Sequence, residues 1–87
     1  MTAQFEAQAD KIEEALAGHG IIAQVTGGTI TPHWVRFWTW PRLGTRLSHI
    51  KALNGELATV LSADNCRVSR RRLIGAQIEI PRPVVEQ

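Results

Sequence analysis

The 87-residue chain has room for one small domain. It is 44% hydrophobic and 21% charged, which excludes a disordered chain, and its net charge of +2 is too small to argue by itself for nucleic-acid binding. No stretch approaches the roughly 18 apolar residues of a membrane span, the polar opening MTAQFEAQAD does not fit a signal peptide, and the one cysteine, Cys66, can neither close an internal disulfide nor anchor a metal cluster, which fits a reducing, cytosolic location.

Phe5, Ala9, Ile12 and Leu16 recur at helical spacing, with Glu6, Asp10, Glu13 and Glu14 on the other face. This predicts a helix over 3–17, stopped by Gly18 or Gly20 in the GHG that follows. IIAQVT, 21–26, is β-branched and reads as a strand; GGTITP, 27–32, reads as a turn. HWVRFWTW, 33–40, is a second strand, expected to form a hairpin with the first. It holds four of the five aromatic residues of the chain. Strand alternation puts Trp34, Arg36, Trp38 and Trp40 on one face and His33, Val35, Phe37 and Thr39 on the other, and either face fits a core.

PRLG, 41–44, breaks that strand. Leu47, Ile50, Leu53, Leu57 and Leu61 then predict one helix over 47–62, with Ser48 as N-cap and Gly55 weakening it by about 1 kcal/mol. Cys66 and Val68 open a third strand, with Cys66 expected as a small buried apolar residue; RRRLIG turns the chain. AQIEI, 76–80, forms a fourth strand with Ala76, Ile78 and Ile80 inward and Gln77 and Glu79 outward, and the two prolines of PRPVVEQ end it. The order α-β-β-α-β-β predicts an α+β fold, with two helices packed on one face of a four-stranded, mostly antiparallel sheet.

No catalytic or cofactor motif is present. TGGT lacks the spacing of a phosphate-binding loop, and His19, His33 and His49 have no metal-ligand spacing. Two features stand out. RVSRRR, 67–72, packs Arg67, Arg70, Arg71 and Arg72 together; it fits a solvated tip that blunts a sheet edge, and equally a tip that grips phosphates. If Val35, Phe37, Ile78 and Ile80 supply the core face, Trp34, Trp38 and Trp40 form an outward patch around Arg36, which marks a partner surface.

The residue order resembles the alpha domain of the FtsK/SpoIIIE family of DNA translocases. KIEEALAGHGIIAQV, 11–25, is similar to that family's opening helix ending near FGVEA. HWVRFWTWPRLGTRLSHIKALNGELATVL, 33–61, follows the order GPVVTRYEL, PAPGVKVSKI and LxxDLAxAL without a gap. RVS, 67–69, and IEIPR, 78–82, follow the closing VRI and GIEVPN. Arg36 falls on the Arg of TRY, Gly44 on the Gly of APG, and Ser48 and Ile50 on SKI. Glu56 stands at the Asp of DLA, Trp38 replaces the Glu of YEL, Trp40 replaces a commonly polar residue, and the PIPGK turn is replaced by a shorter RRRL. A tryptophan-bearing face that is polar in relatives argues that the patch points outward.

The resemblance implies a domain over 1–82 and a linker stub over 83–87. It implies a non-catalytic, ring-forming part of a hexameric, ATP-driven double-stranded DNA translocase, with the ATPase in a downstream RecA-like motor domain and no cofactor in this segment. The partners implied are duplex DNA through the assembled ring, neighbouring subunits and the motor domain. The segment itself is expected to make no membrane contact, in a cytoplasmic protein whose parent chain can carry a membrane anchor. Arg67, Arg70, Arg71 and Arg72 are the candidates for DNA contact, and Trp34, Arg36, Trp38 and Trp40 for the partner interface. The alternative is a stand-alone nucleic-acid-binding or protein-binding adaptor.

Overall fold

The computed structural model describes residues 3–82; the expected linker stub, 83–87, lies outside them. Helix α1, Ala3–Gly18, buries the four apolar residues of its stripe, Phe5, Ala9, Ile12 and Leu16. Its end is stopped by Gly20, which sits at φ +78°. The Ile21 N–H donates to the Leu16 carbonyl at 2.9 Å and the Gly20 N–H to Ala17 at 3.0 Å, the paired bonds of a Schellman cap.

Four strands form one antiparallel sheet in the order β1-β2-β4-β3: β1, Ala23–Ile30; β2, Trp34–Pro41; β3, Arg67–Arg71; β4, Gly75–Pro81. The expected hairpin of β1 and β2 forms, but the strand does not stop at residue 26. It continues through Gly27 and Gly28 with a bulge between Val25 and Gly27, and the turn shrinks to residues 31–33. The reason is a close approach. A Cβ on Gly28 would lie 2.1 Å from the Arg36 carbonyl oxygen and 2.6 Å from Phe5 Cζ, so glycine lets α1 settle on the strand. Thr31 secures the shorter turn, its hydroxyl accepting from the Trp34 N–H at 3.1 Å and donating to the Trp34 carbonyl at 3.2 Å.

The helix expected over 47–62 is two helices, α2, Leu47–Lys51, and α3, Asn54–Val60. The break falls at Leu53, whose φ −97°, ψ 11° is off the helical values, just before the poor helix formers Asn54 and Gly55. Apolar periodicity survives the break, because Ile50, Leu57 and Leu61 are all buried. Ser48 is not the N-cap: that place is Arg46, which makes no side-chain cap bond, and Ser48 lies inside α2. The fold is therefore α+β as expected, with three helices rather than two.

The core lies between helices and sheet. Val35 and Phe37 of β2, Val68 of β3, and Ala76, Ile78 and Ile80 of β4 face the helices. Phe37 stacks on Phe5 with ring centroids 4.8 Å apart. Cys66 is buried in the same cluster, as expected. Two polar contacts tie α1 and the cap after it down: Glu13 Oε2 accepts from the Val25 N–H at 2.7 Å, and His19 Nε2, just past the helix, lies 2.6 Å from Glu56 Oε2 on α3.

Candidate interaction surface

The outer face of the sheet faces away from the core and carries the tryptophans. Alternation along β2 leaves Trp34, Arg36 and Trp38 half-buried and Trp40 57% exposed, while Val35, Phe37 and Thr39 go inward. Cross-strand register builds the rest of this face. Trp34 is opposite Pro81, Arg36 opposite Glu79 and Trp38 opposite Gln77; Arg67 is opposite Glu79 and Ser69 opposite Gln77. Strands β2 and β3, on either side of β4, thus deliver Trp34, Arg36, Trp38, Trp40, Arg67 and Arg71 to one surface.

Cations and rings are interleaved there. The Arg36 guanidinium lies 3.7 Å from the Trp34 ring centroid, and its Nε donates to Glu79 Oε1 at 2.8 Å. The Arg71 guanidinium lies 4.2 Å from the Trp38 ring centroid. Trp38 has room because its neighbour on β1 is Gly27, where a Cβ would sit 3.3 Å from Trp38 Cε3. Arg67, exposed at the β3 edge, makes none of these contacts. The surface presents flat apolar rings held by guanidinium groups, with Glu79 as its one acid among the strand residues described.

The arginine run is divided by the strand it belongs to. Arg67 and Arg71 join the tryptophan face. Arg70 pairs with Ala76 and points to the other side of the sheet end, where its Nη1 donates to the Leu73 carbonyl at 3.1 Å. Arg72 occupies the β3–β4 turn at φ 59°. Sequence grouped the four as a tip; three of them are strand residues, and of these Arg71 lies over a tryptophan ring. The Arg36–Glu79 pair escaped sequence reading because the adjacency of β2 and β4 has no local signal.

Burial pushes the Cys66 thiol from its ordinary 9.0 up to about 11, so it stays protonated and is a poor nucleophile. No group of three His, Cys, Asp or Glu side chains converges among the described residues. No helix among them is long and apolar enough to cross a membrane.

The chain is thus a two-layer α+β domain with an aromatic and basic outer sheet face. The model of the FtsK alpha domain matches residues 1–82, and the chain belongs to that family. The FtsK alpha domain is a non-catalytic part of an FtsK-type translocase. A search of curated protein sequences returns no match.

Proposed function

We propose that this domain is the ring-forming alpha domain of a hexameric, ATP-driven double-stranded DNA translocase, working on the cytoplasmic side in chromosome segregation, cell division or DNA transfer. The ATPase would lie downstream, in a RecA-like motor domain. Family membership over residues 1–82 carries this reading. In it, Trp34, Arg36, Trp38 and Trp40 meet a neighbouring subunit or the motor domain, and Arg67, Arg70, Arg71 and Arg72 lie against phosphates. The convergence of Arg67 and Arg71 with the tryptophans supports a joint surface where protein and nucleic acid are both close.

The test begins with the gene beyond codon 87. A GxxxxGK[ST] motif is expected there. The full product should hydrolyse ATP faster when duplex DNA is added and should form rings on it. A full product that neither assembles on duplex DNA nor responds to it would refute the reading.

A second reading is favoured by the stacked Arg–Trp pairs alone: a stand-alone binder of nucleic acid that uses the rings as a stacking platform. It expects micromolar, steeply salt-dependent binding by the 87-residue chain itself. A protein-binding adaptor would instead depend on Trp34, Trp38 and Trp40 and ignore DNA.

A further inference from the structure

A second surface lies at the end of the sheet where β2 leaves and β4 enters, adjoining the tryptophan face at Trp40. The loop over 42–46, helix α2 and the β3–β4 turn enclose an open cleft of about 580 Å³. Among the described residues, four cations line it, Arg42, Arg46, Lys51 and Arg70, and no acid does. Its apolar residues are unusually exposed. Leu43 in the loop and Leu73 in the turn are 89% and 88% exposed, and Ile74 and Trp40 stand beside them at 47% and 57%. Ile50 and Ala76 close its floor from the core.

Those two properties together select an occupant. Cations without a local counter-charge attract an anionic partner and repel a basic one. Phosphate backbone would satisfy them but would leave Leu43, Leu73 and Ile74 in water. An apolar peptide would cover the leucines but leave four positive charges uncompensated. A segment that carries both acids and bulky apolar side chains satisfies both sets at once. Arg70 is already aimed by its bond to the Leu73 carbonyl, which leaves its other N–H groups free to meet a carboxylate bidentately.

We infer that this cleft is a docking groove for a protein segment in which Asp or Glu side chains flank Leu-, Ile- or Phe-like anchors. It is independent of the DNA-translocase reading and uses a surface that reading leaves uncovered apart from Arg70 and Trp40.

The labelled 87-residue chain can be passed over a random-sequence peptide array, and the best peptide then measured by fluorescence polarisation against the chain and its variants. Bound peptides should be enriched in Asp and Glu beside large apolar residues. Replacing the acids of the best peptide by Gln should weaken it at least about tenfold, as should the double variant Arg46→Glu/Lys51→Glu. Leu43→Ser/Leu73→Ser should weaken it by a similar factor, while Lys11→Glu, in α1 and outside the cleft, should not. All these positions are exposed, so circular dichroism should report native folds. Any of four results would overturn the inference. One is an array with no acidic–apolar preference. Another is a peptide indifferent to all the cleft variants. A third is a cleft that binds duplex DNA with dependence on Arg46 and Lys51 but none on Leu43 and Leu73, which would make it a phosphate surface. Self-association lost in the same variants, with no peptide bound, would assign the cleft to a second copy of this chain and equally overturn the proposal.

Discussion

Trp38→Glu separates an outward aromatic face from a core one. The Trp38 ring is half-buried, lying against Gly27 and beneath the Arg71 guanidinium at 4.2 Å. A tryptophan buries at most about 250 Å², so half of it is worth about 2–3 kcal/mol at roughly 25 cal/mol per Å². Losing the guanidinium stack adds about 0.5–1 kcal/mol. The methylene groups of Glu recover part of the area, and its carboxylate beside Arg71 returns about 0.2–1 kcal/mol as an exposed pair. The net loss is about 2 kcal/mol, which lowers the melting temperature of a domain this size by about 8–16 °C. Phe37→Ala is the comparator: Phe37 is 0% exposed and stacked on Phe5, and its truncation should cost about 3–5 kcal/mol. A domain of this length holds only about 4–13 kcal/mol in total, so the second change takes it to the edge of unfolding and the first does not. Thermal melts followed by circular dichroism measure both. Equal losses for the two variants would refute the assignment of faces; no loss at all for Trp38→Glu would refute its packing on Gly27 and Arg71.

The glycines should respond with opposite signs. Gly28→Ala drives a Cβ into the Arg36 carbonyl and the Phe5 ring and should cost about 3 kcal/mol or more, whereas Gly55→Ala, with nothing within 4 Å, should gain about 0.5–1 kcal/mol; urea titration reads both. Thr39 is 2% exposed and its hydroxyl has no partner among the described residues, so Thr39→Val should raise stability by about 1 kcal/mol with an unchanged urea m-value. At pH 8 the Cys66 thiol should alkylate about a hundredfold more slowly in the folded chain than in urea, since its pKa is raised from 9.0 to about 11. The same shift fixes a sign: above pH 9 the unfolded chain releases this proton first, so the contribution of the buried thiol is present below pH 9 and lost by pH 11.

Elements carried by their own periodicity were legible. The stripe Phe5, Ala9, Ile12, Leu16 and the alternation of Ala76, Ile78 and Ile80 each buried as written, because a helix or strand one face deep has only one way to hide them. What failed depended on partners distant in sequence. Gly27 and Gly28 read as a turn because glycine usually marks one, yet here they answer to Trp38 and Phe5. The leucine stripe over 47–61 hid a break, since Ile50, Leu57 and Leu61 face the core from either side of it. Of the candidate surface, the membership of the tryptophan face was readable from β2 alone. The split of the arginines was not, because it follows from where β3 ends and the turn begins. The cations Arg42, Arg46 and Lys51 lie in a loop and a short helix, and only the approach of the β3–β4 turn makes them neighbours of Arg70.

The strand order has a kinetic consequence. β1 with β2, and β3 with β4, are local hairpins, each able to zip from its own turn, while β2 meets β4 only by bringing Trp34 to Pro81 and Thr39 to Ala76 across about half of the chain. Loop closure over that distance has to precede the contacts that reward it, so topology predicts that the two hairpins dock along the central seam late in folding. The Arg36–Glu79 pair bridges that seam, on strands that belong to different hairpins. A chain arrested before docking would expose two unpaired strand edges at once, β2 and β4, and these rather than the outer edges are where it would first cross-pair with another copy.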